Sequence, residues 1–169
     1  MHRTDHGYRL GLRPHQVDAL LLRDALIGAR EAEGRRDLVR ARELARECLA
    51  LPAPGGDVEG PLGALRTSAA RQRVIATDVL GRVLSALGDH DEALPLLAQA
   101  EFDDESSEAA RLRSTAAVQD AAAALDAYER HRVALADRLG VDPGPMLQAL
   151  HAELLAADRP WSRPAADCG

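Results

Sequence analysis

Apolar residues recur every three or four positions from about residue 15 to residue 157, broken at short stretches bearing Gly, Pro or Asp. A helix buries a stripe of that period on one side, whereas a strand scatters it over both faces, so the chain reads as a stack of amphipathic helices. Composition sharpens this. Ala (33 residues) and Leu (26) far outnumber Val (9) and Ile (2), and aromatics make up 2% of the chain. Ala and Leu enter helices at little cost while β-branched residues favour strands, which argues against a β-sandwich or a Rossmann sheet. At 169 residues the chain suits one domain or a tight set of small repeats, with enough length for a sizeable core.

Seven helices are predicted, near residues 15–33, 37–51, 62–87, 91–100, 107–118, 120–139 and 143–157. Leu22, Ala25, Leu26, Ala29 and Ala32 share a face of the first, which Gly34 stops. Leu38, Ala41, Ala45, Cys48 and Leu49 share a face of the second, with Cys48 read as a small buried apolar residue. PAPGGDVEGP at 52–61 is a loop. The long third helix turns Leu65, Ala69, Ala76, Leu80, Val83 and Leu87 inward, and pairs Asp78 with Arg82 on its outer face. Pro95 falls close to the start of the fourth helix, where a missing N–H costs less. Glu101–Glu108 reads as an exposed acidic turn, leaving Ala110 and Leu112 as core candidates of the fifth helix. Leu125, Tyr128, Leu135 and Leu139 fall in one sector of the sixth, and Gly140 ends it. Asp142-Pro143-Gly144-Pro145 opens the last helix, whose buried stripe is Leu147, Leu150, Leu154 and Leu155. Past Asp158 the periodicity is lost, and residues 158–169 are expected to be a disordered tail.

Charge and motifs narrow the function classes. A net charge of −6 argues against the whole chain being a phosphate-binding surface. No stretch reaches the length of an apolar membrane span and the first residues lack a signal-peptide core, so a cytoplasmic location is expected. All 21 basic residues are Arg, and the absence of Lys and Asn fits a GC-rich genome. Cys48 and Cys168 make neither a disulfide framework nor a zinc spacing. Gly55-Gly56 lacks the Gly-Lys-Ser/Thr ending of a phosphate loop. His2 and His6 have the i, i+4 spacing of a helical chelate but fall in a terminal segment, while His131 and His151 stand alone on their helices. The reading is a non-enzyme with no metal and no cofactor. Two Arg lines on the long helix, Arg66 with Arg73 and Arg71 with Arg82, form either a solvated face or a docking surface for an acidic partner. Trp161, the sole Trp, is a loose tail residue or a partner anchor.

The helix pairs repeat. Ala86-Leu87-Gly88-Asp89-His90-Asp91-Glu92-Ala93-Leu94 resembles the helix–turn–helix junction of a tetratricopeptide repeat, and Ala32-Glu33-Gly34-Arg35-Arg36-Asp37-Leu38 is a looser copy. Ala117-Val118-Gln119-Asp120, with Leu125 and Tyr128, is a third. The expected architecture is therefore all-α, with about three antiparallel helix pairs in tetratricopeptide-like repeats and a C-terminal capping helix.

The end of the chain is more specific. Tyr128-Glu129-Arg130-His131-Arg132, then Leu135 through Leu139-Gly140-Val141-Asp142-Pro143-Gly144-Pro145, then Leu147-Gln148-Ala149-Leu150-His151, resembles the end of the bacterial transcriptional activator domain of SARP-type (Streptomyces antibiotic regulatory protein) regulators. The resemblance covers about residues 7–157, and marks Gly88, Leu125, Tyr128, Leu139, Gly140, Asp142, Pro143 and Pro145 as structural motif residues. It departs from the family's pattern in the shortened 52–61 loop, at Glu101-Phe102-Asp103-Asp104-Glu105, and at His131. Gly7-Tyr8-Arg9-Leu10 is similar to the strand that ends the family's winged-helix DNA-binding domain. Residues 1–14 are thus expected to be a tail with a remnant wing strand, residues 15–157 the activator module, and the DNA reader to be missing. The resemblance implies a non-catalytic interaction module in transcriptional regulation. Its expected partners are RNA polymerase, another regulator subunit or a second copy of the chain, with no membrane and no specific DNA binding of its own. A stand-alone scaffold outside transcription and a truncated remnant of a larger regulator are the alternatives.

Overall fold

The computed structural model describes residues 2–4, 7–9, 18–52, 61–99 and 104–158. A short antiparallel hairpin, β1 (His2–Thr4) and β2 (Gly7–Arg9), pairs His2 with Arg9 and Thr4 with Gly7. Seven helices follow: α1 (Asp18–Gly34), α2 (Leu38–Ala50), α3 (Pro61–Leu87), α4 (His90–Ala98), α5 (Glu105–Val118), α6 (Ala121–Leu139) and α7 (Pro145–Asp158). The fold is helical and of the tetratricopeptide-like type. His2 sits in a strand rather than a helix, and His6, the other half of the predicted chelate spacing, lies outside the described residues. The 53–60 loop, Glu101–Asp103 and the tail with Trp161 also lie outside them. The chain forms two compact units, residues 1–83 and 84–169.

In the first unit α1 and α2, joined across three residues, pack as an antiparallel hairpin. Leu22, Leu26, Ala29 and Ala32 of α1, and Ala41, Ala45 and Cys48 of α2, are buried on the predicted faces. The Cys48 thiol donates to the Leu22 carbonyl at 3.2 Å, and burial pushes its pKa up against the pull of Arg73. On α3, Ala69, Ala76, Leu80 and Val83 are buried as expected, but Leu65 is 54% exposed. Asp78 is a larger correction. It is buried rather than on an outer face, because Arg82, its i+4 partner, also reaches Glu33 at the end of α1.

In the second unit α5 packs against α4, α6 and α7, and α7 also lies against α6. The core joins Ala109 and Leu112 of α5 to Ala124, Ala127 and Tyr128 of α6 and to Leu147, Leu150 and Leu154 of α7. Leu125 is half-buried against this cluster, Leu135 is half-buried, and Leu139 is 63% exposed. The predicted sector is right in angle, but its burial fades towards the end of α6, where the chain turns away at Gly140. Leu155, expected inside, is exposed on the far side of α7. Pro95 sits in the second turn of α4 rather than at its start.

Two helix junctions share one geometry. At the first, Arg36 N donates to Glu33 O and Asp37 N to Ala32 O; at the second, Gly88 N donates to Ser85 O and Asp89 N to Leu84 O. Both are Schellman closures, in which a left-handed residue lets the last helical carbonyls be satisfied. Gly88 (φ 91°) fills that place at the second, and Arg36 (φ 63°) at the first. The chain therefore reverses at Arg36, two residues after the predicted stop at Gly34. Asp37 and Asp89 then take the N-cap position of the next helix.

Candidate functional site

The Arg lines of α3 do not form one cationic surface. Arg73 donates to the carbonyls of Leu49 (3.0 Å) and Leu51 (2.7 Å), supplying partners that the end of α2 lacks within the helix. Arg82 makes two bonds to Glu33, at 2.8 and 2.9 Å, and pairs with Asp78. Both guanidinium groups thus serve the first unit's own packing. Arg71 is exposed and Arg66 is half-buried.

The second unit offers a more defined arrangement. A polar recess of about 350 Å³ opens between α4, α5 and α6. Leu94 supplies its apolar edge, α5 contributes Arg111 and Thr115, Gln119 follows at the α5 C-cap, and α6 contributes Asp126 and Arg130. Glu108 holds Arg111 through Nε (2.8 Å), and this hydrogen bond raises the Arg111 pKa, so the guanidinium stays charged and fixed. The same carboxylate lies 3.7 Å from His131 Nδ1, bridging α5 to α6. Thr115 returns its hydroxyl proton to the Arg111 carbonyl at 2.9 Å. Arg130 is exposed and has no ion-pair partner among the described residues. A shallower recess of about 520 Å³ continues along α6 past Asp126, Arg130, Val133 and Asp137. The recess thus sets a held and an exposed guanidinium, a carboxylate and an apolar edge side by side on neighbouring helices. Among the described residues no group of three or more His, Cys, Asp or Glu converges as a metal site, and no helix is long and apolar enough to cross a membrane.

The motif residues frame this unit. Gly140 (φ 68°) closes α6 with its N–H on the Ala136 carbonyl at 2.8 Å. Pro143 is buried, and its carbonyl accepts from Gln148 Nε2 at 2.7 Å; Pro145 is the first residue of α7, where no N–H is needed. Gly144 precedes it, and a Cβ there would collide with the Glu105 carboxylate. That carboxylate, 42 positions away in sequence, accepts the Leu147 N–H at 3.0 Å and caps α7 in place of a side chain at Gly144. The predicted acidic turn is thus a working helix start: Asp104 caps α5 through Ser106 N and Ser107 N, Glu105 caps α7, and Glu108 orders Arg111. A glycine between two prolines was the one sequence signal that another group must approach there. Tyr128 is buried and stacks on His151 with ring centroids 4.3 Å apart and planes 4° from parallel. Burial raises the Tyr128 pKa, Arg132 opposes that, and the exposed Asp142 adds to it.

No curated protein matches the chain. Its fold is similar to that of Mycobacterium tuberculosis EmbR, solved in complex with a low-affinity phosphopeptide, with a TM-score of 0.63 and 24% identity over 90% of this chain. The chain spans 42% of that EmbR chain. Residues 17–155 match the family described as bacterial transcriptional activator domain, and the chain belongs to that family.

Proposed function

We propose that this transcriptional-activator module acts by binding protein rather than by catalysis, as part of a SARP-type regulator. The recess between α4, α5 and α6 is its docking site, and a component of the transcription machinery is its partner. The observation that carries the reading is the family match across residues 17–155. The recess supports it, because Arg111 is preset by Glu108 while Arg130 beside it is exposed and has no ion-pair partner among the described residues. Helical repeats commonly present such faces to partners, and a preset Arg loses little freedom on binding. Sequence reading of DNA is assigned to other elements, since base edges are read by an element seated in a groove.

Purified bacterial RNA polymerase passed over the immobilised chain tests the reading. Retention is expected, with at least a several-fold loss for Arg130→Glu at unchanged helicity. No retention of the polymerase, or retention indifferent to Arg130→Glu, would overturn the proposed partner or the proposed site respectively.

A further inference from the structure

The Glu108 carboxylate is shared between two helices. One oxygen accepts Arg111 Nε at 2.8 Å and the other accepts Arg111 Nη2 at 2.5 Å. That second oxygen also lies 3.7 Å from Nδ1 of His131 on α6. Both groups are largely withdrawn from water, with 12% of the Glu108 side chain and 18% of the His131 side chain exposed. Charges interact more strongly there than on an open surface. With a neutral imidazole the cluster is one carboxylate and one guanidinium, so it has no net charge, and 3.7 Å is too long for a hydrogen bond. An imidazolium turns the same contact into an ion pair. It also adds one positive charge beside the recess that Arg111 lines.

The surroundings of His131 leave Glu108 as the group that decides its charge. α6 packs against α5 and α7. From α5, Arg111 opposes an imidazolium, but its pair with Glu108 presents a carboxylate oxygen to the ring, and the field there favours a cation. Glu105, one turn earlier on α5, is engaged with the Leu147 N–H. α7 brings His151, stacked on Tyr128 one turn before His131, and the exposed Glu153; Asp142 lies in the turn between the helices. On α6 itself Glu129 pairs with Arg132, Arg130 is exposed, and Arg138 follows two turns on. Among the described residues no further ion pair reaches the His131 ring. His131 is also a position at which the chain departs from the family's pattern.

We propose that His131 is a proton-operated latch between α5 and α6 that regulates the recess. As pH falls from about 8 to about 5, the imidazolium forms, takes a share of Glu108, ties the two helices together and loosens the hold on Arg111. Its bearing on docking rests on the recess being the partner site, whereas the latch itself needs no partner. The full chain alone therefore tests it. By NMR, the Arg111 Nε–H resonance should move in step with the His131 ring signals over that range, and should stay still in His131→Leu. The stabilising ion pair exists only with the proton bound, so its contribution is present at the acid end and lost as pH rises. Acidification should thus widen the gap in thermal midpoint between the unsubstituted chain and His131→Leu by a few degrees, and Glu108→Gln should abolish the widening. The resonance measurement needs no substitution at Glu108, so it decides even where that variant fails to fold. An Arg111 signal that ignores the His131 proton, or a gap that is constant with pH, would overturn the latch. Retention of RNA polymerase bears on neither measurement, so the partner and the latch fail separately.

Discussion

Arg36 and Gly88 hold the same place in two helix junctions, yet only one of them suits it. A left-handed backbone costs an L-residue roughly 1–2 kcal/mol, and glycine escapes that cost while losing more backbone entropy on folding. Arg36→Gly should therefore stabilise the chain by about 0.5–1 kcal/mol, measured by urea denaturation. A destabilised variant would show that the Arg36 side chain makes up for its backbone. Glu105 and Gly144 form the other residue-scale unit. Gly144→Ala should cost about 1–3 kcal/mol by forcing the Glu105 carboxylate aside. In a Glu105→Ala background the same change should cost at least about 0.5 kcal/mol less. Equal costs in both backgrounds would mean that the collision is relieved elsewhere. Sequence reading located the Asp142–Pro145 turn but not Glu105, because a contact across 42 positions leaves no local pattern.

Among elements, α6 and α7 show what periodicity conveys and where it stops. The sector holding Leu125, Tyr128, Leu135 and Leu139 follows from 3.6 residues per turn, but what covers each turn depends on where α7 lies. Leu147, 1% exposed in the second unit's core, should cost about 2–5 kcal/mol when cut to Ala. Half-buried Leu125 should cost about 1–2 kcal/mol, below the range expected of a core anchor, and Leu139→Ala should stay within about 0.5 kcal/mol. Thermal or chemical denaturation should return that order, and a Leu139 cost matching that of Leu147 would overturn it. The weak pattern of α5 has a different cause. Ser107, Ser114 and Thr115 are buried in it, and a hydropathy pattern scores them as surface. Burial is tolerated because each hydroxyl has a partner: Asp104 for Ser107, His90 for Ser114, and the Arg111 carbonyl for Thr115.

Over the whole molecule, charge is divided between the two units. Residues 1–83 contain 14 Arg against 11 acids, while residues 84–169 contain 7 against 16. Phosphates are repelled by the second unit, and in the first Arg73 and Arg82 are engaged internally. The 169-residue chain should bind duplex DNA weakly and without sequence preference in fluorescence anisotropy at about 150 mM salt. A Kd near the roughly 10⁻⁸ M of specific complexes, with a preference for promoter over scrambled duplex, would refute this. Helix number, helix type and family were legible in the sequence alone, because they rest on local periodicity, turn residues and one contiguous motif. The tertiary structure decided the roles of the charged residues: that Arg73 and Arg82 bind the chain itself, that Glu105 accepts a helix N–H 42 positions away, and that Arg130 has no ion-pair partner among the described residues. A charge on a helix face looks the same in sequence whether it meets water or another helix, and only the packing of the helices distinguishes the two.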